Sequence, residues 1–332
     1  MPIDRKAWDH HHSRAAELLA HRAEAWPERP PELVAGSKEH TAALARLVLD
    51  EESTAPARGE VPKAEQILDT THPIFICGVM KSGTTLVLDL LDGHPLLAAL
   101  PGDSFLRDAI GTPVTADALP TSLEHWVRRM MNPTGQHPFF VLGAEPAPHV
   151  RFVRVMRAAM EDSSHRIAPV AACAAIADAL HQMNGTRGLR CLVEKTPDNE
   201  HHVDRLLEAF PGARFVHILR DPVDNLRSLL KLHEVRDRAH REEWLRDSIA
   251  ASHAGAERNT KRLGVDRYCT VRYERLIRDP ENVMRALAVW AGLEWCPTLL
   301  IPTVFGIHAA SNSMWKERQV VGHIATTQPG AL

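Results

Sequence analysis

Apolar positions fall into two alternating patterns along the chain. Ile74, Phe75, Ile76 and Cys77 form an unbroken apolar run, the pattern of a strand covered on both faces. Small residues and one lysine follow in GVMKSG, and from Thr84 the pattern changes to helical spacing at Leu86, Val87, Leu90 and Leu91. Gly93 and Pro95 mark the end of that helix. The sequence repeats this strand-then-helix pattern further on. Leu189, Cys191, Leu192 and Val193 predict a second strand, followed by Glu194-Lys195-Thr196-Pro197, and Val203, Leu206, Leu207 and Phe210 predict a helix ended by Pro211-Gly212. Phe215 to Leu219 predict a third strand, followed at once by Arg220-Asp221-Pro222 and a helix with Val223, Leu226, Leu229 and Leu230 on one side. Tyr268 to Val271 predict a fourth strand, and Asp279-Pro280-Glu281 starts a helix running to Gly292, with a capping residue and a first-turn proline. Strands alternating with helices predict an α/β fold, a doubly wound parallel sheet flanked by helices.

The flanking segments read differently. Residues 1–70 predict an accessory helical extension packed on the core, with one helix around Ala15, Leu18, Leu19 and Ala23 and another around Leu44, Leu47 and Val48. Residues 71–332 are expected to form the α/β domain, with 105–187 a helical insertion of little strand character that carries Trp126, Met130, Met131, Phe139 and Phe140. Added helices and loops over a rigid scaffold are where binding specificity varies. His10, His11 and His12 are adjacent, and successive helical residues point in different directions, so they are read as helix surface and no metal is assigned.

Composition narrows the class. Hydrophobic residues make up 44% and charged residues 24%, within the range of globular proteins. A net charge of −3 gives no electrostatic case for nucleic acid or an anionic membrane. No apolar run approaches the roughly 20 residues of a membrane helix, and the first residues lack the apolar core of a signal peptide. Cys77, Cys173, Cys191, Cys269 and Cys296 are scattered and odd in number, as expected of reduced thiols in a cytoplasmic protein. A homodimer is compatible with this composition but not required by it.

The candidate chemistry lies at the predicted strand ends. A strand, a glycine-bounded loop and a helix N-terminus form an anion cradle, because the first-turn amides have no intrahelical partner and the helix dipole adds positive charge. Gly78 and Gly83 have the spacing of a Walker loop and Thr85 takes its hydroxyl position. Thr84, however, stands where that loop has its lysine, and the lysine has moved back to Lys81, beside Ser82. The second strand delivers Glu194 and Lys195, and the third delivers Arg220, with Ser228 on the helix beyond it. Open parallel sheets bind ligands beyond the carboxyl ends of their strands, so these groups are expected on one edge. An arginine fork with a hydroxyl suits a phosphate monoester.

KSGTTL after an apolar strand, and R-D-P followed by a serine eight residues after the arginine, resemble the donor-binding signatures of sulfotransferases that use 3'-phosphoadenosine 5'-phosphosulfate (PAPS). The resemblance covers about residues 72 to 100 and 188 to 315, and is nearest to the branch with carbohydrate, tyrosyl-protein and many bacterial sulfotransferases. It implies a P-loop-like fold. It assigns the 5'-phosphosulfate to Gly78, Lys81, Ser82, Gly83, Thr84 and Thr85, and the 3'-phosphate to Arg220 and Ser228. Tyr273 is similar to the tyrosine of the family's Y-E-D-L segment near the adenine, although Arg275 replaces the usual aspartate. Ser311, Asn312 and Ser313 are similar to the late loop that closes the 3'-phosphate site.

The implied reaction is in-line sulfuryl transfer to a hydroxyl or amine acceptor. Lys81 would neutralise the bridging oxygen, and no metal would be required. Glu194, beside Lys195 in E-K-T-P, is similar to the segment supplying the base in heparan-type enzymes, and Asp103 is the rival carboxylate. In the branch with a histidine base, that histidine sits two residues past the lysine, and here the position is Pro197. An ATP- or GTP-dependent phosphotransferase shares the cradle but predicts a Walker lysine and a strand-end aspartate for Mg²⁺. A non-catalytic nucleotide-binding module leaves Glu194 and Asp103 without a purpose. The acceptor, whether small molecule, carbohydrate or other hydroxyl-bearing compound, has no motif.

Overall fold

The computed structural model describes residues 72–100, 102–110, 146–162, 191–232, 238–304 and 307–308. The N-terminal extension, most of the 105–187 segment, and Ser311, Asn312 and Ser313 lie outside the described residues. The described chain falls into two compact units, one with residues 71–94 and 193–332, the other with 95–192.

The first unit carries the α/β pattern. Strand β1 (Ile74–Cys77) leads through the loop into helix α1 (Thr84–Asp92), as the apolar spacing predicts. Strand β2 (Leu97–Ala99) and helices α2 (Leu106–Ala109) and α3 (Pro146–Asp162) belong to the second unit. Strand β3 (Cys191–Lys195) follows, then a short 3-10 turn at Asn199–His201 and helix α4 (Val203–Ala209). Strand β4 (Arg214–Leu219), helices α5 (Pro222–Leu232) and α6 (Arg238–Leu263), strand β5 (Tyr268–Arg272), and helices α7 (Tyr273–Arg278) and α8 (Pro280–Ala291) complete the main run. Short strands β6 (Thr303–Val304) and β7 (Ile307–His308) pair antiparallel.

The sheet order is β2-β3-β1-β4-β5, and β1 pairs parallel with both β3 and β4. Strand β4 pairs parallel with β5. The fold is α/β, a parallel sheet flanked by helices. All of β1 is buried, as a central parallel strand with both faces covered must be. Phe75, Phe215 and Tyr268 stack across β1, β4 and β5 with ring centroids 5.7 and 5.6 Å apart, so one aromatic row fixes the lateral order of three strands.

Two differences from the sequence expectation matter for the site. Glu194 and Lys195 lie within β3 rather than after it, because the ladder with β1 continues to the pair Ile76–Lys195. The long helix α6 carries no continuous apolar stripe, because the polar Ser252 and Asn259 are among its buried positions. Asp221 caps α5, its Oδ1 accepting the amides of Val223 and Asp224 at 2.9 and 3.1 Å.

Candidate active site

The register brings the chemistry of three strands together. Ile76 is level with Lys195 and Cys77 with His217, so the loop that leaves β1 begins beside the C-terminal ends of β3 and β4. Strand β4 ends at Leu219, opposite Arg272, which places Arg220 and Tyr273 next to each other beyond the edge. The Arg220 guanidinium lies over the Tyr273 ring, 4.6 Å from its centroid, and its Nη1 donates to the carbonyl oxygen of Lys81 at 2.9 Å.

Backbone conformation shows how tightly the loop is built. Lys81 sits in the left-handed region at φ 65, which costs a non-glycine residue about 1–3 kcal/mol and persists only where its surroundings hold it. The charge-assisted bond from Arg220 to its carbonyl is one such hold. Gly83 has φ 109, and a Cβ there would lie 2.4 Å from Tyr273 Cδ2, so the bare glycine lets the tyrosine ring close over the start of α1.

The charges converge as well. Burial lowers the Lys81 ammonium from its ordinary value, and the positive charges of Lys195 and then Arg220 lower it further. Ser82 Oγ, Arg220 Nε and both polar atoms of the Asn225 side chain are buried without a hydrogen-bond partner. Buried polar groups are normally paired, so the donors Ser82 Oγ and Arg220 Nε, orphaned at a cationic loop, fit a site that takes an anionic, hydrogen-bond-accepting ligand. Asp221 and Asp224 do not compensate Arg220 here. The first caps α5, and the second pairs with Arg227 at 3.3 Å.

The predicted residues are placed as follows. Gly78, Lys81, Ser82, Gly83, Thr84, Thr85, Lys195, Arg220, Ser228 and Tyr273 all belong to the first unit. Ser82 and Thr84 are buried, Thr85 is exposed, and Arg220, Ser228 and Tyr273 are half-buried. Glu194 is fully buried, and its carboxylate accepts from Thr196 Oγ1 at 2.6 Å and Asn199 Nδ2 at 2.7 Å. Asn199 also donates to the Ile76 carbonyl at 3.3 Å, so Glu194 is fixed to β1 through that amide. Asp103 belongs to the second unit, half-buried, in the segment before α2 where Ser104 Oγ accepts the Leu106 amide at 3.1 Å.

The structure adds residues that no motif marked. Asp89 and Asp92 on α1 are buried, and burial, then Asp92, push the Asp89 carboxyl well above its usual range while Lys195 opposes them. Asp92 accepts from Thr303 Oγ1 at 2.7 Å, which ties α1 to β6. Asp198, Glu200 and His201 bring potential ligand atoms within 4.8 Å of one another. Glu200 is committed elsewhere, accepting from the Gly78 amide at 2.9 Å and from Ser252 Oγ. Among the described residues no helix is long and apolar enough to cross a membrane, and Cys77, Cys191, Cys269 and Cys296 are free thiols.

A profile of the sulfotransferase family matches residues 73–297, and the chain belongs to that family. It is 34% identical over 116 residues to the omega-hydroxy-beta-dihydromenaquinone-9 sulfotransferases of Mycobacterium bovis and Mycobacterium tuberculosis, a match covering 32% of this chain and 30% of theirs. The matched stretch is thus under a third of the length of those relatives. Among solved structures it is similar to the sulfotransferase domain of the Synechococcus olefin synthase, at 22% identity and TM-score 0.45, over 74% of this chain and 81% of that one. A Mycobacterium avium sulfotransferase matches at 17% identity and TM-score 0.42, over 88% of this chain and 85% of that one.

Proposed function

We propose that the protein transfers a sulfuryl group from PAPS to a hydroxyl or amine acceptor. The observation that carries this reading is the cluster of Lys81, Lys195 and Arg220 at a glycine-bounded loop, where Arg220 also holds the Lys81 carbonyl. The orphaned Ser82 Oγ and Arg220 Nε fit a donor with two anionic ends. The loop amides, Ser82, Thr84 and Thr85 would hold the 5'-phosphosulfate. Arg220 and Ser228 would hold the 3'-phosphate, closed by Ser311, Asn312 and Ser313, with Tyr273 near the adenine. The donor, when bound, supplies a sulfur–oxygen bond that breaks as the acceptor's oxygen–sulfur bond forms, leaving 3'-phosphoadenosine 5'-phosphate.

The residues divide the remaining work. Lys81 places its charge where negative charge develops on the bridging oxygen, and Lys195 supports it, as electrostatic stabilisation requires. A carboxylate takes the acceptor's proton. Glu194 is assigned that role, oriented by Thr196 and Asn199, with Asp103 as its rival. Thr84 in the Walker lysine position is the reason no divalent ion is assigned to the transfer. The mycobacterial relatives are named for a hydroxylated menaquinone derivative, which supports a hydroxyl-bearing small molecule as the acceptor class.

Calorimetry tests the donor assignment. The protein should bind 3'-phosphoadenosine 5'-phosphate about 10- to 100-fold more tightly than AMP or ADP, the weight of one charge-assisted contact of about 1.5–3 kcal/mol. Equal affinities would overturn the assignment of Arg220 and Ser228. Transfer should proceed in EDTA, and loss of activity restored by Mg²⁺ would favour phosphotransfer instead.

A further inference from the structure

A second set of residues, buried and marked by no motif, holds the loop. Glu200 Oε2 accepts the Gly78 amide at 2.9 Å, and Ser252 Oγ accepts the Val79 amide at 3.2 Å. Ser252 lies on α6, where its hydroxyl also donates to Glu200 Oε1. His217 Nε2 is 3.1 Å from that hydroxyl, and His217 Nδ1 is 2.7 Å from the Tyr268 hydroxyl. Asn259 Nδ2 donates to the backbone carbonyl of Glu200 at 2.8 Å and reaches the Tyr268 oxygen at 3.4 Å. Glu200, His217, Ser252, Asn259 and Tyr268 are all buried.

Proton counting fixes the direction of this chain. Amides only donate, so the carboxylate and the serine oxygen must accept from Gly78 and Val79. Ser252 has one proton and spends it on the carboxylate, so His217 must donate to Ser252 from Nε2. A neutral imidazole then accepts at Nδ1, and the Tyr268 hydroxyl donates there. Burial pushes the His217 imidazole down to about 3, with His253 and His201 adding to the shift, so it stays neutral near pH 7. Every donor in the chain therefore points toward Glu200, and the chain ends on the first two amides of the loop.

We propose that Glu200 and Ser252 are positioning residues for the donor, setting the loop through the Gly78 and Val79 amides without touching the ligand. This rests on the donor reading above. With those amides fixed below, the rest of the loop and the first turn of α1 are left to face the phosphosulfate. A loop free to turn its first amides would have to be ordered at each binding event, which costs affinity. Glu200→Gln tests this, because a carboxamide nitrogen facing the Gly78 amide sets donor against donor, and facing Ser252 it takes away the acceptor of the serine proton and forces the chain back to Tyr268 to reverse. Ser252→Ala is the milder companion, leaving the Val79 amide without an acceptor. Ile249→Val, on the same helix, trims the packing against the Val79 side chain but removes no hydrogen bond of the chain, and controls for lost packing and stability.

The expected result is a rise of about 10- to 100-fold in the donor KM and in the Kd for 3'-phosphoadenosine 5'-phosphate for Glu200→Gln, the weight of a charge-assisted hydrogen bond. Ser252→Ala should show a smaller rise in the same direction, Ile249→Val no rise, and kcat at saturating donor should stay within about threefold of wild type, since only ground-state holding of the donor is lost. The Gly78 amide proton should move upfield in Glu200→Gln and the Val79 amide proton in Ser252→Ala, the direct signature of a weakened or lost acceptor. Folded variants with unchanged donor affinity, or Ile249→Val matching Ser252→Ala, would overturn the proposal. Should wild type itself fail to bind 3'-phosphoadenosine 5'-phosphate, the donor reading fails, and the amide resonances still report whether Glu200 sets the loop.

Discussion

Two regions hold the same loop by different means. The segment from β1 into α1 holds it covalently, with an apolar strand on one side and a helix N-terminus on the other. Helix α6 holds it from a distance in sequence, through Ser252 and the buried chain that ends on Glu200. The first region advertises itself, since its core residues are apolar and its loop is small and cationic. The second buries Leu245, Ile249, Ser252, Ala256 and Asn259 at helical spacing, but two of these positions are polar. The difference separates chemistry from support. Changes in the first region should appear in turnover, and changes in the second in stability and loop order.

The largest effect should come from the carboxylate proposed to take the acceptor's proton. Glu194→Gln keeps the size of the side chain but cannot accept a proton, and turnover should fall by about 100- to 10,000-fold with donor binding retained. Asp103→Asn is the matched control, and if Asp103 is the base the two variants exchange behaviour. The structure gives Glu194 a second role, because its bonds to Thr196 and Asn199 tie β3 to β1. A Gln variant that melts earlier and keeps its kcat would therefore move Glu194 from the chemistry to the support.

Lys81 sharpens the same division within one residue. Lys81→Ala should lower kcat by about 100- to 1000-fold and change donor affinity little, because its interaction strengthens where charge develops. Lys81→Gly should lose the same turnover yet gain up to about 1 kcal/mol of stability, since glycine adopts the left-handed backbone at φ 65 without strain. Urea unfolding alongside initial rates checks both. A glycine variant no more stable than the alanine one would show that the loop, and not the side chain, sets that backbone angle at no cost.

Helix α6 offers the converse. Ile249→Ala should cost about 2–5 kcal/mol, as for buried large-to-small changes, with kcat in the folded fraction within about threefold of wild type. Ile249 packs with Leu226, Leu229, Leu245 and Val79, so the cavity opens under the loop's second residue rather than in the site. A fall in kcat as large as that of Lys81→Ala would erase the distinction between the two regions.

Legibility follows the same line. Strands β1 and β4 are readable as buried, mainly apolar runs, and helices α1, α4, α5 and α8 by apolar positions at helical spacing, while β5 is readable although only Tyr268 of it is buried. So is the convergence of Lys81, Lys195 and Arg220, since parallel strands send their ends to one edge. Strand β2 has three residues, too few for a period to show. Helix α6 was silent because Ser252 and Asn259, polar by composition, face inward and are satisfied there by Glu200, His217 and Tyr268. No motif marks Glu200, because the amide that recruits it, Gly78, lies 122 residues away in sequence. Signals of chemistry at the strand ends were local in sequence, whereas the support pairs residues as far apart as Gly78 and Glu200, or Val79 and Ser252.

The smallest effect is the pH response of the supporting chain. His217 has an ordinary value of 6.5 and is lowered in the fold to about 3, by burial first and then by His253 and His201. A lowered folded value means the unfolded chain binds the proton more tightly. Stability from this group is therefore complete above pH 6.5 and is lost as the pH falls from there toward 3, by at most about 1.4 kcal/mol per pH unit. The loss has a structural meaning, because a protonated His217 must carry a proton on Nδ1, where it now accepts from Tyr268. Proton–carbon NMR resolves it directly, with the His217 ring identified as the cross-peak missing from a His217→Gln variant. That peak should carry the Nε2–H tautomer and hold its position from pH 7 to 5, while histidines on the surface titrate. A His217 that titrates with them, near 6.5, would mean that water reaches the chain, and the loop would then lack the rigid support assigned to Glu200 and Ser252.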